Sequence, residues 1–597
     1  MARFDSELLR SNARMAQTIA YGIWLAAYKL RDNQNLSPAL LLERHAARQP
    51  NHPALLFEDR KLSYQELNAR ANQYAHALER LGVKKGDVVA VLMDNRIEYL
   101  VACMGANKIG VVSALINTHV AGIQLSHALQ ICEPSFILLG AEHVDNVRDL
   151  GDALPIPAER VLMMRDGDLR AELPGSVDFD AVIDAAPAHN PEQTAQQSIH
   201  DPFVYIYTSG TTGLPKAAMM KNQRVMKAMH VFAGPVAHIT PSDVVYTSGL
   251  PFYHSSGFIL GYGMALVGGA TCALRRKFSA TQHFDDCERY GATVFAYIGE
   301  LCRYLLASEK RPSEKRHKLR MVVGAGLRPD IWEPFVTRFN IPAVREFYGA
   351  TEGNVGIVNF DGKPGMLGRL MPGQVVALAE EGTADVARDP QTGLCTKAKA
   401  GQDGILLGMI NKVNSFDGYV DKEKNAGKVL VNPFGDGKNY FNTGDLVRVH
   451  EHGYVSFQDR LGDTYRWKGE NVATSEVALV LTDAPTVREA NVYGVEVPGC
   501  DGRAGMAAVV TEGELDLAGL GAHVEKNLPA YSRPLFIRVQ REMKLTASFK
   551  YVKTDLKEQG FDPGAVEGDP LYFWNGRAYE PLTDVLYQQI VSGSIRL

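Results

Sequence analysis

The stretch YTSGTTGLPK, Tyr207–Lys216, begins where the apolar run FVYIY ends, and it holds three threonines, one serine, two glycines, a proline and a lysine. Glycine and small hydroxyl residues let backbone N–H groups come close to an anion. The hydroxyls donate further hydrogen bonds, and Lys216 adds a point charge. A loop of this kind directly after a strand is a way to cradle a polyphosphate. It is not the Walker pattern, because no G-x-x-x-x-G-K-[ST] is present. Composition alone leaves a plain polar turn open as the alternative.

On either side of the loop, strands and helices alternate. From Ala54 to Gly140 the chain reads as the hairpin ALLFEDRKLSY and a helix LNARANQYAHALERLG that ends on Gly82. The strand VVAVLM, a helix after Asn95, VVSALI, a helix over 124–131 and FILLG follow. Ser63 with Glu66 has the spacing of a capping box. Continuous apolar strands separated by helices predict a parallel sheet covered on both faces. A further run of the same kind holds VVYTSGL, ATCALRR, ATVFAYIG and LRMVVGAG. Near 355–440 the chain turns rich in Gly, Asp, Asn and Lys, with short strands such as GILLGMI. After Arg460, VREANVYGVEVPG, GRAGMAAVVTEG and LFIRVQRE predict a small α+β unit. The fold class expected is α/β: a large N-terminal α/β domain with a β-rich subdomain, then a small mobile α+β domain.

The 597 residues are too many for one core. With 46% apolar and 22% charged residues the chain has a globular composition, and a formal charge of −5 gives no basic excess for nucleic acid. Seven scattered cysteines include no C-x-x-C pair, which argues against a zinc site or disulfide framework and for a reducing compartment. Met15–Leu30 is an apolar-leaning run behind Arg3, Arg10 and Arg14, shorter than the roughly 20 residues that span a bilayer. Ile19, Ile23, Trp24 and Ala27 share a helical face, so an interfacial helix and an ordinary packed helix both stay open, ahead of a signal peptide.

Four further strings recur in order after the loop. They are VVGAGL (Val322–Leu327), FYGATEGN (Phe347–Asn354), YFNTGDL (Tyr440–Leu446) and DRLGDTYRWKGENV (Asp459–Val472). Together with TSGTTGLPK they resemble the motifs of the adenylate-forming superfamily. RWKGENVATSEV, VYGVEVPGCDGRAGMAAVV and EQGFDP followed by DPLYF resemble one branch of it, the fatty acid transport protein / very-long-chain acyl-CoA synthetase family, over nearly the whole chain.

That resemblance implies an AMP-forming long-chain fatty acyl-CoA ligase using ATP, Mg2+ and coenzyme A. It implies an adenylation domain over 36–459 with its β-rich subdomain near 355–458 and a C-terminal domain over 460–597; the apolar run gives the segment before them, 1–35, as an N-terminal helix open to a membrane-interfacial role. Thr208, Ser209, Gly210, Thr211, Thr212, Gly213 and Lys216 would hold the phosphates. Gly324, Ala325, Gly326, Tyr348 and Gly349 would line the adenine pocket. Thr351 would bond the α-phosphate, and Glu352 with Thr208 would hold the metal. Asp445 and Arg460 would take the ribose, Gly462 and Asp463 would form the hinge, and Lys550 would bridge the α-phosphate and the fatty carboxylate. His254 and Gly469 would border the acyl and thiol paths.

The chain departs from the wider superfamily in ASFK before Tyr551, in Gly462, and in Asn471 where an arginine often stands, which leaves the coenzyme A phosphate contacts open. The glycine-rich segment GFILGYGMALVGG reads as a buried helix or as a tunnel wall kept open by residues that fill no space. Transfer to a separate carrier protein, and a membrane transporter without chemistry, are the competing functions. A cytoplasmic location, peripheral on the inner face of a membrane, and a homodimer complete the expectations.

Overall fold

Two sheets carry the first part of the chain. In the computed structural model, one sheet runs in the spatial order 177–178, 161–164, 136–140, 88–92, 112–115, 202–209, 215–221. Its first six strands are parallel, and Pro202–Ser209 pairs antiparallel with Pro215–Lys221. The other has the order 356–359, 344–349, 321–325, 294–298, 244–246, 271–274, 53–57, 60–63, with six parallel strands between two antiparallel edges. The structure describes residues 2–597 except 32–33, 210–214, 352, 381–385, 412–413, 422–424, 426, 461–464, 468–469, 473, 499, 501, 529, 546–550, 567 and 596.

The chain divides into two units, Met1–Met371 with Ile410–Val429 and Pro372–Met409 with Leu430–Leu597. In the first, local signals produce the elements expected of them. Ser63 Oγ accepts the Glu66 N–H at 3.2 Å and Glu66 Oε2 accepts the Ser63 N–H at 2.8 Å, so the capping box starts helix Tyr64–Arg80. Gly82 then takes φ +84°, the left-handed conformation that closes a helix cheaply. The order of strands in space is not local. The hairpin 53–63 precedes the strand Val88–Leu92 in sequence yet joins the other sheet, where Leu55, Leu56 and Phe57 pair with Cys272, Ala273 and Leu274.

The N-terminal segment forms the helix Ala2–Trp24. One side packs: Ser11 Oγ donates to Asp361 Oδ2 at 2.7 Å, Arg14 pairs with Asp361 at 3.1 Å, and Tyr21 lies against Gly234. Leu25 is buried with Leu30, Leu36, Ile199 and Met226. The other side leaves Leu9, Ile23, Trp24 and Tyr28 exposed, at 68%, 65%, 41% and 61% of their surface. Among the described residues no helix is long and apolar enough to cross a membrane.

In the second unit, the strands Gln374–Leu378, Asp403–Met409, Tyr440–Val449 and Tyr454–Arg460 pair antiparallel in sequence order. A separate five-stranded sheet has the order 487–495, 504–511, 536–539, 571–574, 579–581. Ala504–Val510 is wholly buried at its centre. Its last two strands and the helix Asp584–Val591 have no clear signal in the sequence beyond DPLYF. Their aromatic residues join the same core, where Phe536 stacks on Phe561 at 4.1 Å.

Candidate active site

The stretch Tyr207–Lys216 begins and ends in two paired antiparallel strands. Thr208 pairs with Lys216 and Ser209 with Pro215, so the strands hold both ends of 210–214. Gly210, Thr211, Thr212 and Gly213 lie outside the described residues. Thr208 and Lys216 are half-buried. The segment 418–420 runs beside the returning strand of the hairpin: Met219 N–H donates to Gly418 O at 3.2 Å, Val420 N–H to Ala217 O at 2.9 Å, and Lys216 Nζ stands 5.8 Å from the Tyr419 ring centre.

FYGATEGN straddles the turn between strands Val344–Gly349 and Gly356–Asn359. Tyr348 ends the first strand half-buried, Gly349 is exposed, and Thr351 is in the turn. Glu352 lies outside the described residues. The turn is held from a distance. Arg224, on helix Asn222–Val231, donates to Ala350 O at 3.2 Å and to Gly353 O, and Phe232 packs edge-on against Phe347 at 4.8 Å. Asn354 Nδ2 donates to Asn414 O at 3.0 Å, and Lys227 Nζ to Asn414 Oδ1 at 3.2 Å. One segment, 414–420, therefore touches both the hydroxyl-rich hairpin and the Y-G-x-T-E turn. Sequence reasoning missed Arg224, and no spacing rule links it to a turn 126 residues away.

Gly324, Ala325 and Gly326 end the strand Met321–Ala325 and begin the turn after it. A Cβ on Gly324 would meet Tyr297 O at 2.3 Å, and one on Gly299 would meet Gly326 O at 1.7 Å. Gly326 itself has φ +84°. These glycines let two backbones touch, a requirement no other residue meets.

In the second unit, Asp445 is buried, at 3% exposure. The N-T-G-D run bulges out of its strand: Leu407 pairs with Asn442 and Ile405 with Leu446, so Leu406 alone faces 443–445. The bulge holds itself. Thr443 Oγ1 donates to Leu406 O at 2.8 Å and accepts the Asp445 N–H at 3.1 Å, and Gly444 takes φ +73°. On the other side Asp445 is in register with Arg460, which brings the two expected ribose residues to facing positions.

Lys550, Gly462, Asp463 and Gly469 fall outside the described residues. The flanks of 546–550 are tied: Leu545 bridges Tyr551, and Val552 N–H donates to Lys544 O at 3.0 Å. Lys553 Nζ donates to Thr474 Oγ1 at 3.2 Å, so this neighbouring lysine is tied to the start of helix Thr474–Thr482.

His254 is half-buried just before the π-helical turn Ser256–Tyr262, and its carbonyl accepts the Phe258 N–H at 3.0 Å. The glycines that follow are filled against. A Cβ on Gly257 would meet Pro251 O at 2.3 Å, on Gly263 Met229 Cγ at 2.4 Å, and on Gly268 Ile239 Cγ2 at 2.3 Å. At these positions glycine serves close packing.

Comparison with known proteins agrees with the geometry. The AMP-binding enzyme family model matches residues 42–400, and the model of the AMP-binding enzyme C-terminal domain matches 476–550. Long-chain fatty acid transport protein 6 of Mus musculus is 39% identical over 98% of this chain and 95% of its own length. Medium/long-chain-fatty-acid–CoA ligase FadD6 of Mycobacterium tuberculosis is 37% identical over 92% of this chain and 89% of its own. Among solved structures, ATP-bound MatB from Rhodopseudomonas palustris superposes with a TM-score of 0.73 at 25% identity, covering 88% of this chain and 99% of that one.

Proposed function

We propose that this chain, which belongs to the AMP-binding enzyme family and within it to the long-chain fatty acid transport protein branch, is an AMP-forming fatty acid–CoA ligase. The observation that carries the reading is the junction of the hydroxyl-rich hairpin and the Y-G-x-T-E turn on the one segment 414–420. A fatty carboxylate attacks the α-phosphorus of ATP, the bond to pyrophosphate breaks, and an acyl-adenylate forms. A thiol then attacks the acyl carbon, and AMP leaves with the electron pair of the acyl–oxygen bond. Two anions must meet in the first step, so catalysis needs cations and N–H donors around the phosphates.

The backbone and hydroxyls of 208–213 with Lys216 hold the β- and γ-phosphates, and Thr351 bonds the α-phosphate. Tyr348 and Gly324–Gly326 take the adenine, and Asp445 with Arg460 takes the ribose. The Glu352 carboxylate and Thr208 hydroxyl would hold a magnesium ion as hard oxygen ligands, and the ion would supply positive charge against the nucleotide phosphates. Lys550 stands between carboxylate and α-phosphate during adenylation, and the domain 460–597 turns about Gly462 and Asp463 to admit coenzyme A past Gly469. His254 borders the acyl path. ATP use favours a cytoplasmic location. The exposed Leu9, Ile23, Trp24 and Tyr28 favour contact with a lipid surface on that side of a membrane. Substituting Leu9→Glu with Ile23→Glu, the two most exposed of these residues, should reduce sedimentation with anionic vesicles; unchanged sedimentation would remove the membrane reading.

Lys550→Ala tests the mechanism. It should lose acid-dependent pyrophosphate exchange by a hundredfold or more, roughly 3 kcal/mol of barrier. It should still convert supplied acyl-adenylate and coenzyme A to thioester at a near-normal rate. Lys557→Ala is the control, because Lys553 is itself bonded to Thr474. Equal loss of both steps would contradict the domain rotation, and transfer to acyl carrier protein in preference to coenzyme A would replace the ligase reading.

A further inference from the structure

Glu346 lies two residues before Tyr348 on the strand Val344–Gly349, and its side chain is buried. Its carboxyl Oε1 accepts the Leu327 N–H at 2.6 Å and the Tyr297 hydroxyl at 3.2 Å, and the Gly326 N–H is a further donor to the same carboxyl. Leu327 and Tyr297 belong to an apolar cluster with Cys302, Val322, Trp332 and Phe335. An apolar side chain would satisfy that packing. A carboxyl there must answer a polar need, since burying one in apolar surroundings is costly unless it is hydrogen-bonded. The need is visible in the turn it faces. Gly326 is held at φ +84° with its carbonyl pressed against Gly299, so the N–H groups of 326–327 cannot rotate to another acceptor.

We propose that Glu346 is a positioning residue for nucleotide binding: it fixes the turn Gly326–Leu327 and thereby presents the backbone of Gly324–Gly326 to the polar edge of an adenine ring. This rests on the reading of VVGAGL as the adenine-facing segment. Tyr297 is the other member of the support, because its carbonyl is the atom that forbids a side chain on Gly324 while its hydroxyl bonds Glu346. Glu346 itself need touch neither ATP nor the fatty acid.

The test is calorimetric binding of AMP, together with the KM values for ATP and for a long-chain acid, in the full chain and its variants. E346A should weaken AMP binding and raise the ATP KM by about tenfold, with the acid KM within about twofold of wild type. E346Q keeps an acceptor for the Leu327 N–H and should restore AMP binding to within about threefold of wild type. E346D keeps the charge but withdraws the oxygen by one methylene. It should show the same selective loss as E346A, and it carries the test if E346A does not fold. AMP binding by E346A or E346D equal to wild type overturns the role, as does E346Q no better than E346A, or an acid KM that rises in step with that of ATP. Wild-type protein that binds no AMP overturns the adenylate-forming reading itself, an outcome distinct from variants that bind normally.

Discussion

The Y-G-x-T-E turn and the N-T-G-D bulge both join threonine, glycine and a carboxylate, yet the two units of the chain hold them in different ways. The bulge supports itself. Thr443 bonds Leu406 across the strand and Asp445 two residues on, and Gly444 supplies the backbone conformation. The turn at 350–354 depends on remote parts of the chain: Arg224 on its carbonyls, Phe232 against Phe347, and Asn414 on Asn354. The bulge carries most of its geometry in Asn442–Asp445 and needs only the facing strand at Leu406 to complete it. A propped motif carries only its chemistry in consecutive residues, and its geometry resides in residues that no local pattern marks.

Three changes break or sharpen this contrast. The largest concerns the carboxyl behind the adenine side. Burial pushes the Glu346 carboxyl up to about 7, above its ordinary 4.5, against the opposing effect of its hydrogen bonds. The folded state thus binds this proton more tightly than the unfolded chain. The associated stability is complete below about pH 4.5 and is lost as pH rises through about 7, which amounts to about 3 kcal/mol. Urea unfolding of the first unit at pH 5 and pH 8 should show that decline in wild type and not in E346Q; equal declines would place the carboxyl in a wetter site than its contacts indicate.

Asp445→Ala comes next. Losing charge-assisted bonds to the ribose hydroxyls should cost about 2 kcal/mol, roughly thirtyfold in the ATP KM, with the acid KM nearly unchanged. Thr443 and Gly444 still tie the bulge in this variant, so the melting temperature should fall only modestly; a large drop would mean that the bulge is not self-supporting. Arg224→Ala is smaller in activity and broader in reach. Removing two bonds to turn carbonyls should lower kcat/KM for adenylation about tenfold, roughly 1.5 kcal/mol, and should also soften the turn to proteolysis. An Arg224→Ala enzyme with wild-type kinetics would show that the turn stands without its prop.

The same contrast explains what could be read from the sequence. The helix Tyr64–Arg80 was legible because Ser63 and Glu66 form its start within four residues. Thr208, Tyr348, Thr351 and Asp445 could be named as candidates because each sits in a contiguous string. The sheet joined by hairpin 53–63 was not, since its partner strand lies more than 200 residues away and both strands are simply apolar. Arg224 sits in NQRVMKAMHV, which reads as an ordinary amphipathic helix. Glu346 precedes a recognised string by one residue, and only the fold reveals the two N–H groups that it faces. The segment 257–269 shows how far composition reaches: its glycines could not say whether they leave space or fill it, and the atoms around Gly257, Gly263 and Gly268 show close packing.

Acid-dependent exchange of labelled pyrophosphate into ATP by the intact protein, without coenzyme A and across carboxylic acids from short to very long chain, tests the central claim most directly. The account predicts exchange that requires a carboxylic acid, rises with long-chain acids and persists in the absence of any thiol. Exchange independent of added acid, or none with any acid while ATP is hydrolysed to ADP, would contradict it.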